Sequence, residues 1–295
     1  MIEHICLDVD DTLYPVSEKF KEAKANQIAK RLVQLLKKKN DLKTIKKVES
    51  FLKQGGFNLK YDQITTEAYK FLVEYEKCGN GGNANTYKSL GLDYRWVERD
   101  IFYAKRENLI DWSYSQEIIE TLREIRLKGI SLSLFSNSSY GSIALNLKYS
   151  GFTPAIQGEL FGTEITKLFA SEEIGETESS LTDKLRKGEI DKNEFEYMLI
   201  QYKAKMDFIK RKINILSSED KEEYKRPALG GFERIKQCLD IPSENILYVG
   251  DTIKKDIIPA KKAGLKACLV LWDRKEKPNN ADYVINQLME LKNII

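Results

Sequence analysis

The stretch CLDVDDTLYP, Cys6 to Pro15, decides how the rest of the chain is read. It sets three carboxylates, Asp8, Asp10 and Asp11, within four positions directly behind an apolar run, and follows them with Thr12 and a turn proline. Like charges this close repel, and burying even one unpaired carboxylate is expensive. A buried strand that ends this way needs a counter-charge at its tip. A divalent metal is the economical one: hard Mg²⁺ takes oxygen ligands from one or two carboxylates, keeps some waters and leaves positions for a phosphate oxygen. Acidic residues at another strand end would complete such a site, and VGDTIKKD supplies Asp251 and Asp256.

Outward from this stretch, short apolar runs recur: HICLDVD (His4 to Asp10), ISLSLFSN (Ile130 to Asn137), NILYVGD (Asn245 to Asp251) and KACLVLW (Lys266 to Trp272). Apolar runs that end in acidic or hydroxyl residues are how buried parallel strands look when their C-terminal ends carry a site. Helical periodicity separates them. Ile118, Ile119, Leu122 and Ile125 fall at helical spacing before a stop at Gly129, and TIKKDIIPAKKAGLK after Asp251 is closed by Gly264. Alternating strand and helix predicts an α/β fold, a Rossmann-like parallel sheet covered on both faces.

Two segments break the alternation. Residues 16–109 predict a helical cap, with one apolar face from Ala25, Ile28, Ala29, Leu32, Val33 and Leu36. Leu42, Ile45, Val48 and Leu52 make a second, and Ile64, Ala68, Phe71, Leu72 and Tyr75 a third. The lysine-rich stretch Lys37 to Lys47 reads as the solvated face of a helix. Residues 164–223 predict a second, helical insertion, an added helical hairpin: a mobile loop around GETESSLTD precedes it, and its helix over Phe195 to Leu216 carries a stripe of Met198, Tyr202, Met206, Ile209 and Ile213 that is packing surface. The core is then 1–15, 110–163 and 224–295.

Composition narrows the class. A chain of 295 residues is long enough for a full core and roughly two domains. A net charge of only +3 gives no global basic field, which argues against nucleic acid or membrane as partner. No apolar run approaches the ~18 residues of a membrane span, and the apolar stretch Ile5 to Leu7 is cut by Asp8 and has no basic leader, so a cytoplasmic protein is expected. Assembly into a homo-oligomer is compatible with these features. Cys6, Cys78, Cys238 and Cys268 lack CxxC spacing and read as reduced residues, neither disulfides nor zinc ligands. The lone histidine, His4, argues against a histidine triad and reads as a strand-start residue.

DVDDT (Asp8 to Thr12) resembles the DxDxT motif of the haloacid dehalogenase-like hydrolase superfamily. LFSN, ending in Ser136 and Asn137, is similar to its strand-end Ser/Thr motif, and LYVGDTIKKDIIPAKKAGLK to its GDxxxxD motif, in the superfamily's order. The resemblance covers about residues 1 to 15, 110 to 163 and 224 to 280. It implies that Asp8 is the nucleophile, ionised near neutral pH, that forms an aspartyl-phosphate. Asp10 would protonate the leaving oxygen and then take a proton from water. Mg²⁺ would be held by Asp8, the backbone carbonyl of Asp10, and Asp251, with Asp256 close by. Ser136 and the backbone N–H of Asn137 would hold phosphate oxygens, and Thr12 would brace the loop. Asp11 reads as a loop carboxylate that caps the turn.

The superfamily's phosphate-binding lysine commonly precedes a proline a few residues ahead of a phenylalanine; here the stretch is YKRPALGGF. Counting back from Phe232 with Pro227 as anchor puts Arg226 in that register and Lys225 one residue earlier. Lys225 is the expected cation, for its reach, with Arg226 in reserve. The implied activity is a Mg²⁺-dependent phosphatase acting on a small phosphorylated metabolite. The cap position and the DDTLYP opening resemble the pyrimidine 5′-nucleotidase branch, so a nucleoside monophosphate is the first expectation and a phospho-sugar or phosphoglycolate-type acid the second. A dehalogenase would not use a second aspartate where Asp10 stands, and a phosphomutase generally has glycine where Thr12 is. A non-catalytic binding protein on the same fold is the rival from another class.

Overall fold

The computed structural model describes residues 1–15, 18–75, 83–92, 115–162, 176–217, 222–274 and 280–295. In chain order its main elements are β1 (His4–Leu7), α1 (Glu18–Lys39), α2 (Leu42–Gln54), α3 (Thr66–Glu74), α4 (Asn83–Ser89), α5 (Ser115–Leu127), β2 (Ser131–Ser136), α6 (Tyr140–Tyr149) and α7 (Pro154–Phe161). There follow α8 (Glu178–Arg186), α9 (Lys192–Lys210), β3 (Ile215–Ser217), α10 (Gly230–Leu239), β4 (Ile246–Gly250), α11 (Ile258–Lys262), β5 (Lys266–Val270) and β6 (Tyr283–Ile285). The chain divides into two units, Met1–Val16 with Asp111–Ile295, and Ser17–Ile110.

The first unit is an α/β, Rossmann-like body around one six-stranded sheet of order β3-β2-β1-β4-β5-β6, every neighbouring pair parallel. His4 lies opposite Ser131 on one side and Ile246 on the other, so β1, β2 and β4 end at the same edge. The chain leaves β1 towards β2 and later returns to its other side as β4. This reversal opens the sheet at its carboxyl ends, where ligands of α/β proteins bind. Strand residues are almost all buried, as a sheet covered on both faces requires. Below the edge, Phe135, Phe232 and Tyr248 pack edge to face, with centroids 5.3 Å apart for the first pair and 4.9 Å for the second. Gly231 is needed there, since a Cβ on it would stand 2.2 Å from the Phe135 ring.

Three expectations are corrected. The helix expected over Phe195 to Leu216 spans Lys192–Lys210; Lys212 takes φ 53°, and Ile215–Ser217 joins the sheet as β3. The insertion is therefore not purely helical. The buried face of α9 carries Tyr197 and Phe208, while Met198, Tyr202, Met206 and Ile209 are half-buried. The loop expected at GETESSLTD holds the start of α8, because Thr177 accepts a bond from the Ser180 amide and caps it. Residues 163–175 and 218–221 of this insertion lie outside the described residues.

The second unit is helical. Ile28, Leu32 and Leu36 of α1, Val48 and Leu52 of α2, and Ala68 and Leu72 of α3 share one core. Asp41 caps α2, accepting from the Lys43 amide at 3.1 Å. Leu42 stands in solvent, off the expected apolar face. The lysine stretch is exposed, and two of its members cap α4 from outside: Lys39 donates to the carbonyls of Leu90 and Gly91, and Lys47 to that of Ser89. Residues 16–17, 76–82 and 93–109 of the expected cap are outside the described residues, Cys78 among them. Cys6, Cys238 and Cys268 are buried free thiols. No helix among the described residues is long and apolar enough to cross a membrane.

His4 is wholly buried, its ring nitrogens sharing hydrogen bonds with Ser131 Oγ at 2.6 Å and Ser133 Oγ at 2.8 Å. Burial, with help from the Arg126 charge, lowers its pKa from 6.5 to about 3. The native state then binds fewer protons than the unfolded state between those values. Stability should hold above pH 6.5 and decline by up to about 1.4 kcal/mol per unit as pH falls through that window. Because this is the only histidine, long-range ¹H–¹⁵N NMR of its ring checks the point: one neutral tautomer is expected down to pH 5, and a ring titrating near 6.5 would refute it.

Candidate active site

Each carboxylate of the candidate site is set by a strand end. Asp8 follows β1, and its amide donates to the Val249 carbonyl at 2.9 Å, locking it to the neighbouring strand. Asp251 follows β4. Asp256 lies in the π-helical turn Ile253–Ile257 that leads into α11, and it accepts from the Thr252 amide at 2.9 Å. Gly250 makes this return possible, since a Cβ there would come within 2.4 Å of the Asp256 side chain. Carboxylate oxygens of Asp8, Asp251 and Asp256 all lie within 4.8 Å of one another.

The cation between them is Arg226. Its Nη2 donates to Asp8 Oδ1 at 2.6 Å, and its Nη1 to Asp256 Oδ1 and, at 2.6 Å, to the Tyr248 hydroxyl. Its face rests on Phe135, 5.2 Å from the ring centroid. Asn137 fixes the backbone behind it, accepting from the Arg226 amide at 3.0 Å and donating to its carbonyl at 3.2 Å. Lys225, the expected cation, is half-buried one residue earlier, while the guanidinium that reaches Asp8 belongs to Arg226, in register with Phe232. Arg274 pairs with Asp251 Oδ2 at 2.9 Å from the rim.

Asp8 and Asp256 are 4% and 1% exposed, and Arg226 is 7% exposed. Burial raises the Asp8 pKa to about 8, against the pull of Arg226, with Asp256 and Asp251 adding to the rise. Asp256 is raised for the same reasons. In the protein without a cation, burial thus works against the expected ionisation of Asp8 and the shared guanidinium works for it. With all three carboxylates ionised, the two guanidinium groups of Arg226 and Arg274 leave one negative charge, and a bound divalent cation would offset it. Hard oxygen donors, so close together and under-compensated, fit Mg²⁺.

Asp10 turns away from this cluster. Its Oδ2 accepts from Ser138 Oγ at 2.7 Å, and its Oδ1 from Asn146 and, at 3.4 Å, from the Tyr14 hydroxyl. Asp11 occupies the left-handed region, φ 60°, at the turn. Thr12 is buried, its Oγ1 without a partner among the described residues, and its carbonyl accepts from Trp272 Nε1 at 3.3 Å. Ser136 is buried at the tip of β2, its Oγ accepting from the Ser138 amide at 3.0 Å. The sequence reading missed Tyr248, Ser138, Asn146 and Arg274. Of these only Tyr248 had a signal, as a hydroxyl three residues before Asp251 in an otherwise aliphatic strand.

Replacing Arg226 by Met should destabilise the metal-free protein by about 3–5 kcal/mol, because it strands two buried carboxylates. Lys225→Met should stay within about 0.5 kcal/mol. Urea unfolding of both variants in EDTA measures this, and equal losses would contradict the assignment of Arg226.

The chain is similar to known proteins in part of its sequence and in its fold. Residues 224–291, which hold Arg226, Asp251 and Asp256, match the family model described as HAD-hydrolase-like. Over 73 residues the chain is 34% identical to glyceraldehyde 3-phosphate phosphatase of Methanocaldococcus jannaschii; the match takes in 24% of this chain and 32% of that protein, so it spans about a third of the relative's length. Among solved structures, a provisionally assigned β-phosphoglucomutase from Thermotoga maritima is similar along 99% of this chain and 98% of its own, at 11% identity and TM-score 0.50. A magnesium-bound HAD hydrolase from Bacillus subtilis covers 99% and 98%, at 18% identity and TM-score 0.46. The family model matches the C-terminal part of the core, and the likeness to the Thermotoga maritima structure is one of fold.

Proposed function

We propose that this chain, haloacid dehalogenase-like in its C-terminal sequence and in its fold, is a Mg²⁺-dependent phosphatase of small phosphorylated metabolites. The observation that carries the reading is the convergence of Asp8, Asp251 and Asp256 around the Arg226 guanidinium at the carboxyl edge of the sheet. Mg²⁺, held by Asp8, Asp251, Asp256 and the backbone carbonyl of Asp10, would keep Asp8 ionised and neutralise phosphoryl charge.

The chain's own residues supply the rest. Asp8 attacks phosphorus through the oxygen that Arg226 does not engage, and the ester oxygen leaves with a proton from Asp10. Asp10 then takes a proton from water as water attacks the aspartyl-phosphate, which frees Asp8 and phosphate. Arg226 stands where a phosphoryl oxygen would meet its guanidinium, and its planar fork is fixed in advance by Asp8, Asp256 and Tyr248. The Ser136 hydroxyl and the Asn137 amide N–H hold further phosphate oxygens. Thr12 braces the loop, and the Asn137 side chain holds Arg226. Lys225 is assigned to the phosphate's approach, outside the ion-paired centre. The helical segment 16–109 is assigned the cap's task of choosing the substrate.

The narrower reading is a nucleoside monophosphate, on the resemblance of the DDTLYP opening. The match to a glyceraldehyde 3-phosphate phosphatase favours a phosphorylated small sugar as the second reading. Turnover of p-nitrophenyl phosphate should require Mg²⁺ and fall by at least about a thousandfold, some 4 kcal/mol, in Asp8→Asn, because an amide cannot form the acyl phosphate. No turnover by the wild type with Mg²⁺ would favour a binding protein. A panel of nucleoside monophosphates and sugar phosphates, ranked by kcat/KM, decides between the two substrate classes.

A further inference from the structure

Besides the Tyr14 hydroxyl of its own loop, Asp10 is held by two residues that follow β2, Ser138 and Asn146. Ser138 Oγ donates to Asp10 Oδ2 at 2.7 Å, and Asn146 Nδ2, from α6, donates to Oδ1. Asn146 is 1% exposed, and its Oδ1 has no partner among the described residues. A buried amide that leaves its acceptor unused is costly, and turning it over would set a carbonyl against a carboxylate. Its side chain is therefore committed to Asp10. The turn that carries Ser138 and leads into the first turn of α6, the helix of Asn146, is pinned at each end by the insertion: Ser217 Oγ of β3 donates to the Ser138 carbonyl at 2.8 Å, and Gln201 Oε1 of α9 accepts from the Gly141 amide at 2.5 Å. Gly141 is required for that approach, since a Cβ there would come within 2.7 Å of the Gln201 amide.

We infer that Asn146 and Ser138 are positioning residues that fix the plane of the Asp10 carboxyl for proton transfer, and that the second insertion serves the reaction by holding their turn in place. The inference rests on the reading of Asp10 as the general acid. Donors on both oxygens, Ser138 on Oδ2 and Asn146 with Tyr14 on Oδ1, hold the carboxyl against rotation. Proton transfer tolerates little misplacement; a shift of about 1 Å costs on the order of a hundredfold. The same carboxyl matters far less when the leaving group needs no proton.

The test compares an alkyl phosphate with p-nitrophenyl phosphate in single-turnover phosphoryl transfer, with Mg²⁺ present. Asp10→Asn should lose much more on the alkyl ester. Asn146→Ala and Ser138→Ala should move the ratio of the two rates in the same direction by at least about tenfold. Gln201→Ala, acting through the turn, should move it the same way by less. Where Asn146→Ala does not fold, as judged by circular dichroism, Ser138→Ala, at a half-buried turn position, carries the test by itself. If Asp10→Asn shifts the ratio while the folded Asn146 or Ser138 variants lose equally on both esters, those residues are merely structural and the inference falls. If Asp10→Asn itself shows no preference, the reading of Asp10 as acid falls, and this inference with it.

Discussion

The Arg226 guanidinium, buried and shared between Asp8 and Asp256, is the interaction on which the rest of the site depends. Neither carboxylate could be buried without it, and the guanidinium could not be buried without them. The neighbouring structure serves this arrangement. β1 and β4 run parallel and in register so that Asp8 and the Asp251 to Asp256 turn meet, and Gly250 gives that turn room. Phe135 floors the guanidinium, Tyr248 takes one of its N–H groups, and Asn137 holds its backbone as a neighbouring strand would. Arginine suits the place better than lysine because a planar fork can bond two carboxylates at once.

The pairing is deliberately incomplete in charge. One shared cation leaves Asp8 with a pKa near 8 and Asp256 raised as well. A site built for stability alone would balance its charges or avoid them. In the proposed reading a divalent cation would complete the cluster, which lies at the reversal of sheet order, where ligands of α/β proteins bind. Asp10 stands apart, with Ser138 and Asn146 on its two oxygens, so in the proposed reaction the group that would move protons is separated from the groups that hold charge.

Much of this was legible in the sequence wherever a residue's place follows from its own strand. Asp8, Ser136 and Asp251 end apolar runs, and parallel strands bring such ends together. The central strands were read within two or three residues of their ends. β3 and β6 were not, because three-residue edge strands carry too little pattern, and Ile213 and Leu216 continue the helical spacing of α9 into β3. GETESSLTD was read as a loop from its polarity, although Thr177 is a good cap for a short helix. Of two adjacent cations on a loop, chemistry alone favoured Lys225, for its compact ammonium on a flexible stem. The spacing to Phe232 pointed to Arg226, and that is the residue found between the carboxylates. Asn146 and Arg274 act only across tertiary contacts, so no local pattern marks them.

The most direct test is the thermal unfolding midpoint as a function of Mg²⁺ concentration, for the wild type and for Asp251→Asn. If the acidic cluster is completed by a divalent cation, binding to the native state alone stabilises the wild type by about 2.7 kcal/mol at a hundred times the dissociation constant. The midpoint should then rise with Mg²⁺, and the rise should vanish in Asp251→Asn. A wild-type midpoint indifferent to Mg²⁺, or the same rise in both proteins, would contradict the account.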